Sequence, residues 1–456
     1  MLDCIIIGAG ASGLVAAATL HEAGRLFAVV EARGFIGGRA NSRPLSDGTP
    51  VERGAQQLHG PTIATWEFVV RHRLRTHYLQ PGTRGADAVF RDGKWTGGDP
   101  ARREAYARII VALKDMPGLL VADSMSLHEA LVKAGFKGAM LETAEFRYNV
   151  LCPIDPKELS ARAAAEALRF NGTGLPNFAI VDGHSKLWEM VSRPFVAKVH
   201  LNTPVSEVAW GPEGVKVAAL RQAQGERLRL EARTAIVTLP VGVLQAGTVR
   251  FTPGLPKRKT EALKGLRMGS TIKVIGEFRR PFWEARAGRG PGFRAEGSVF
   301  HWFEDMFWDR PGPPVLSAMI GRKGAELSGD EGRIRAAYLS EIAKMFPEAD
   351  VESELVDIEV VDWTADAHAR GSLSVAPVGG QRLREDLAAP TPPLFWAGEA
   401  TNAQGNAMAV HGAVEAGRRA AIEVLHAVQP LHATDEASRL DWWKHTTIPG
   451  QFVGGR

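Results

Sequence analysis

The run from Leu2 to Glu31, LDCIIIGAGASGLVAAATLHEAGRLFAVVE, constrains the fold more than any other part of the chain. Cys4 to Ile7 is a short apolar run of the kind that forms a buried parallel strand, and Gly8, Gly10 and Gly13 follow in the order Gly-x-Gly-x-x-Gly. Small residues from Ala11 and Ser12 to Ala18 continue as a helix. The first glycine permits a tight turn, the second lets backbone approach a pyrophosphate, and the third brings helix close to strand. Phosphates would then sit at the helix N-terminus, where unpaired N–H groups and a partial positive charge attract anions. A second apolar run, Leu26 to Val30, ends in Glu31, eighteen residues beyond Gly13, where a carboxylate can accept hydrogen bonds from a ribose. An acid at that position disfavours a phosphorylated ribose.

Composition narrows the class. The chain has 456 residues, 45% of them hydrophobic and 23% charged, enough for a large core and two domains. Fifty-five Lys and Arg stand against 51 Asp and Glu, scattered along the chain, a balance too mild for nucleic acid. With only Cys4 and Cys152, a disulfide framework or cysteine-rich metal site is excluded, and a cytoplasmic setting is expected. The uncharged stretch Cys4 to Leu20 lacks a basic n-region and carries spaced glycines, so it is not read as a signal peptide, and no membrane span is expected.

Further along, Trp66 to Tyr78 has helical spacing, and Ala101 to Leu168 reads as mainly helical, with Ser126 as N-cap of a helix over Leu127 to Ala134. A strand is expected over Val199 to Val208. The hairpin Val215 to Leu230 reads as solvent-exposed, because RQAQGER has no periodic apolar face. Thr271 to Phe278, Ser298 to Phe307 and Val315 to Ile320 read as strands, and Ile334 to Phe346 as a helix. Near the C-terminus, LFWAGEATNAQGNAMAVHGAVEAGRRAA gives an apolar strand ending in Gly398 and Glu399, a polar loop, and a helix from about Met408 to Val428.

After Glu31 come Ala32, Arg33, Gly34, Phe35, Ile36, Gly37, Gly38 and Arg39, a second glycine turn that brings backbone and guanidinium toward the same phosphates. At this turn and in the C-terminal stretch the chain resembles the flavin-containing amine oxidase family. The resemblance runs from Ile5 to about Val428 and is weakest between Gly82 and Leu168. It implies an α/β fold in which a Rossmann-like FAD-binding domain of the glutathione-reductase type (1–58, 182–262 and 366–430) is interleaved with an α+β substrate-binding domain (59–181 and 263–365), followed by a tail (431–456). It also implies noncovalent FAD. Cofactor contacts are expected from the first glycine turn, Glu31 to Arg33, Gly38 and Arg39, from Gly54, Ala55 and Gln56 in VERGAQQLHG, and from Val205, Gly398, Glu399, Ala409 and Val410. Covalently flavinylated relatives carry a cysteine where this chain has Ser372.

By the same resemblance, Lys273 in GSTIKVIGEFRRPFW matches a lysine that holds a water near the reactive flavin nitrogen, and Trp363 matches a tryptophan near the flavin. The implied reaction removes hydride from the carbon bearing an amine. The resulting imine hydrolyses to a carbonyl compound plus ammonia or a smaller amine, and oxygen is reduced to hydrogen peroxide. Where many family members flank the amine with two aromatic rings, this chain has Leu373 and Ala409, which leaves room for a bulkier amine. Tyr148, Cys152, Phe178, Phe300 and Trp302 are the other candidate cavity residues, with Cys152 expected to be an inert buried thiol. The scaffold also resembles flavin desaturases and porphyrinogen oxidases; an amino-acid oxidase, a noncatalytic flavin-binding protein and a homodimer remain open at this point.

Overall fold

The computed structural model describes residues 1–79, 88–97, 104, 107–109, 111, 123–171, 176–221 and 225–428. The N-terminal run forms β1 (Leu2–Ile7), α1 (Ala11–Glu22) and β2 (Phe27–Val30). β1 lies parallel to β2 on one side and to the long strand Glu226–Val237 on the other, with Ile5 opposite both Ala28 and Ala235. The strand is apolar throughout because both faces are covered. Cys4 and Ile6 enter one core cluster with α1 and the C-terminal helix Val410–Val428, while Ile5 and Ile7 enter a second with Leu127, Tyr148 and Trp396.

The long strand changes partner along its length. Its first half is antiparallel to Gly214–Arg221, and its second half is parallel to Leu394–Trp396. The hairpin expected to be solvent-exposed is therefore part of the main sheet: Val215, Val217 and Ala219 alternate into the core. Positions 222–224 of its turn lie outside the described residues. The single strand expected over 199–208 divides in two, Val199–His200 beside β2 and Val205–Gly211 on the far side of the sheet, between Gly214–Arg221 and Arg250–Thr252, and Asn202 between them takes φ +50°.

A second sheet orders its strands as Leu355–Asp362, Ile272–Phe278, Val315–Ile320, Phe300–Asp305, Gly292–Ala295, Ala88–Arg91 and Lys94–Thr96. Two separate excursions of the chain thus build one sheet. Helix Glu331–Met345 packs on it through Ile334, Tyr338 and Ile342. Of the segment expected to be helical, positions 101–122 lie largely outside the described residues. Beyond it, helices occupy Leu127–Lys133, Gly138–Leu151 and Ala161–Asn171. Ser126 forms a capping box with Glu129, as serine three residues before glutamate favours. The helical spacing over 66–78 is only half realised. The helix stops at Arg71, and Thr76–Leu79 pairs with Asn177–Ile180, a tertiary partner overriding local periodicity. The tail, 431–456, lies outside the described residues.

Two glycines let α1 pack without side chains. A β-carbon on Gly13 would lie 1.9 Å from the Gly8 carbonyl oxygen, and one on Gly417 would lie 2.2 Å from the Ser12 carbonyl oxygen. We predict that Gly13→Ala pushes α1 off β1 at a cost of about 1–3 kcal/mol. The expected outcome is a lower thermal unfolding midpoint and weaker FAD retention, and an unchanged midpoint would contradict the packing argument.

Candidate active site

The nucleotide end is built from the turn after β1. Gly8 takes φ +107°, with Thr238 Oγ1 only 2.4 Å from where its β-carbon would be, so no side chain is admissible there. Around Gly10, by contrast, a β-carbon would meet nothing within 4 Å, so the chain leaves space beside the first turn of α1. The first N–H groups of a helix have no intrahelical partner, and here no side chain caps them. Ser12, only 4% exposed, has a hydroxyl with no hydrogen-bond partner. An open cradle, uncapped amides and an orphaned buried hydroxyl together fit a pyrophosphate.

The second glycine turn lies against the first. Gly37 N–H donates to Ala9 O (2.8 Å), and a β-carbon on Gly38 would lie 3.4 Å from Gly10 Cα. Glu31, 5% exposed, accepts from Ala9 N–H (2.7 Å) and Arg33 N–H (2.9 Å), with lone pairs left for ribose hydroxyls. Ala32 lies between them in a loop whose carbonyls take the Thr203 and Asn202 N–H groups, two to three residues before Val205. The Arg33 guanidinium is committed to an ion pair with Asp366, so from this residue the backbone rather than the charge is available to a ligand.

At the other end, Glu399 is a clamp. Its Oε1 accepts from Ser374 N–H (3.0 Å) and Arg39 Nη1 (3.2 Å); its Oε2 accepts from Ser374 Oγ (2.7 Å) and Met408 N–H (3.2 Å). Arg39 also donates to Ser372 O (2.8 Å). Glu399 thus accepts four hydrogen bonds from the protein. It fixes Gly398, Arg39 and the start of the C-terminal helix relative to one another. Ala409 and Val410 open that helix, whose N-terminal end carries about half a positive charge. Next to them His411, 2% exposed, is held neutral by burial, its pKa pulled down to about 3.

The loop Gly54 to Gln56 runs beside this clamp: a β-carbon on Gly54 would strike Arg39 O at 2.0 Å and lie 3.1 Å from Trp363, and Ala55 N–H donates to Arg39 O. Lys273 comes from Ile272–Phe278, the strand next to the edge of the second sheet, and is 2% exposed. Its Nζ donates to Glu52 O (2.7 Å) and Gln56 Oε1 (2.6 Å). Burial lowers its pKa, opposed by the charges of Glu304, Glu52 and Glu359.

The expected cavity residues separate. Tyr148 and Cys152 are fully buried, and Cys152 Sγ lies 3.9 Å from Met408 Sδ, so their helix reaches the loop that Glu399 clamps. Phe178 packs on Trp66 and Tyr78, with ring centroids 5.0 and 5.6 Å away. Phe300 is not a cavity residue: it lies in the core with Phe303 and Tyr338. A bulge between Phe300 and Phe303 keeps those two rings on one face and turns Trp302 to the other, where the Arg294 guanidinium sits 5.4 Å from its ring. A cavity of about 90 Å³ opens beside Gln56, lined by Glu52, Glu304, Phe307, Trp308 and Arg310 among others, and none of the expected cavity residues lines it. Sequence reasoning missed Glu304, whose Oε2 accepts from Gln56 Nε2 (2.8 Å), and the pair His59 and Asn177 (3.1 Å). The alternation in SVFHWFEDMF could have drawn attention to Glu304, but only the bulge aims it.

Comparison with known proteins fits this site. The profile of the family described as flavin containing amine oxidoreductase matches residues 11–425. Polyamine oxidase 4 of Oryza sativa subsp. japonica is 27% identical, over 92% of this chain and 88% of its own length. Human lysine-specific histone demethylase 2 is 25% identical over 87% of this chain, which spans 50% of that protein. Putrescine oxidase bound to putrescine shares the fold, with a TM-score of 0.77 at 21% identity over 93% of this chain and 99% of that one. The chain belongs to the flavin-containing amine oxidoreductase family. It is an FAD-dependent oxidoreductase acting on amines, and no helix among the described residues is long and apolar enough to cross a membrane.

Both cysteines are free and buried, with burial pushing each thiol up to about 12. We predict that neither reacts with a thiol reagent in the native holoenzyme at neutral pH and that both react after denaturation. Ser372 Oγ donates to Gly269 O (3.0 Å) and lies 2.9 Å from Thr271 Oγ1. With no thiol at that turn, acid precipitation should release the yellow cofactor into the supernatant; colour retained in the pellet would show a covalent link.

Proposed function

We propose that the protein oxidises a bulky amine with oxygen as acceptor, forming hydrogen peroxide. The observation that carries the substrate reading is the Glu399 clamp. It holds the backbone of Ser374 and Met408 on one carboxylate, so the neighbouring residues Leu373 and Ala409 are tied to one group; on this reading their aliphatic side chain and methyl group stand where rings would narrow the space. FAD, when bound, supplies the hydride acceptor. The chain's part is to hold the substrate's C–H bond in place and to favour the neutral amine, because an ammonium has no lone pair to drive hydride out. Apolar surroundings do this by desolvation, with no dedicated base.

In this reading α1 and the two glycine turns hold the dinucleotide, and Glu31 takes the ribose. The N-terminal end of the C-terminal helix, at Ala409 and Val410, would hold the pyrimidine edge of the flavin, where its partial positive charge would stabilise negative charge on the reduced ring. His411, being neutral, adds no charge there. Lys273 and Trp363 lie on the oxygen side. The chain segments 1–58, 182–262 and 366–430 form the cofactor unit and 59–181 with 263–365 the substrate unit. The unpaired cysteines favour a cytoplasmic setting.

Anaerobic mixing of the holoenzyme with mono-, poly- and bulky secondary amines tests the substrate reading. Bleaching of the flavin band fastest with bulky amines is expected, and a preference for small arylalkyl monoamines would overturn it. For the lysine, Lys273→Met should slow reoxidation by oxygen about a hundredfold, the scale of losing one preorganised charge, with little change in FAD retention. Equal reoxidation rates would reject that role.

A further inference from the structure

Lys273 is connected by two hydrogen bonds in series to Glu304, which lines the cavity beside Gln56. Its Nζ donates to Gln56 Oε1 (2.6 Å), and Gln56 Nε2 donates to Glu304 Oε2 (2.8 Å). This is the one orientation of the amide that suits both neighbours, since the reverse would set NH₂ against a cation and oxygen against a carboxylate. Lys273 itself is 2% exposed, whereas Glu304 lines the cavity beside Gln56.

Three carboxylates act on the lysine, and two are already committed. The Glu52 carboxylate takes His184 N–H (2.9 Å), lies 3.0 Å from His184 Nδ1 and accepts from Ser42 Oγ (2.9 Å). Glu359 takes Arg43 (2.6 Å) and Arg53 (2.7 Å). Glu304 forms no ion pair among the described residues, and Arg310 is the cation that shares its cavity. The bulge at positions 301–302 is what turns Glu304 away from the Phe300 and Phe303 core toward Gln56.

We propose that Glu304, acting through Gln56, is the positioning residue of Lys273: it orients the lysine amine and links it to solvent through the cavity it lines. This rests on the reading of Lys273 as the oxygen-side residue. The tests are made on FAD-loaded wild type, Glu304→Gln, Gln56→Leu and Lys273→Met. Two quantities are read: the pH titration of the oxidised flavin absorbance, and the ratio of reoxidation rate to anaerobic bleaching rate across pH. Wild type should show a spectral transition that Lys273→Met lacks. Loss of the Glu304 charge disfavours the ammonium, so Glu304→Gln should move the transition to lower pH by about one unit, and the rate ratio should fall about tenfold above it. Gln56→Leu, which leaves the carboxylate but breaks the link, should move both in the same direction. A transition that stays in place in both variants while Lys273→Met abolishes it would overturn the proposal alone. A transition and reoxidation rate retained in Lys273→Met would overturn the lysine reading and the proposal with it.

Discussion

One buried carboxylate organises the centre of the molecule. Glu399 lies 360 residues from Arg39 in sequence and hydrogen-bonds to it, while the same group holds Ser374 and the amide that starts the C-terminal helix. A carboxylate buried to this degree is tolerable only when its oxygens are fully met. Arg384, 1% exposed, supports the arrangement from behind by donating to Ser374 Oγ and O and to Ala400 O. The flanking segments cannot move independently without leaving one of these charges unpaired, which is costly in a dry interior. The geometry around Arg39, Ser374 and the start of the C-terminal helix follows from this pairing, not from any single loop's own preference.

The unit of β1, α1 and β2 was legible in the sequence because its determinants are local. Gly8, Gly10 and Gly13 specify backbone shapes within one turn, and Glu31 follows at the end of the next strand, so composition and spacing carry nearly the whole argument. The resemblance to a known family extended that reading to Lys273, Trp363 and the C-terminal helix, residues whose individual positions have no local signature.

What was not legible depends on tertiary pairing. Thr76–Leu79 continues an apolar spacing that suits a helix, yet Asn177–Ile180 recruits it as a strand. Val215, Val217 and Ala219 alternate correctly, but the polar turn beside them drew the reading toward solvent. Phe300 and Trp302 look equivalent in a strand of period two, and one extra residue between Phe300 and Phe303 sends them to opposite faces. The connection from Lys273 through Gln56 to Glu304 joins three distant segments, so no window of sequence contains it.

The side-chain-free contact between α1 and the C-terminal helix has a bearing on biogenesis. Ser12 and Gly417 meet backbone to side-chain-less backbone, and β1 depends on Glu226–Val237 for its second neighbour. During synthesis the first turn therefore emerges long before the surfaces that hold it. Until the last helix is made, α1 lacks the Gly417 backbone on which Ser12 packs, so the surface that backs the first turn of α1 is the last to be synthesised.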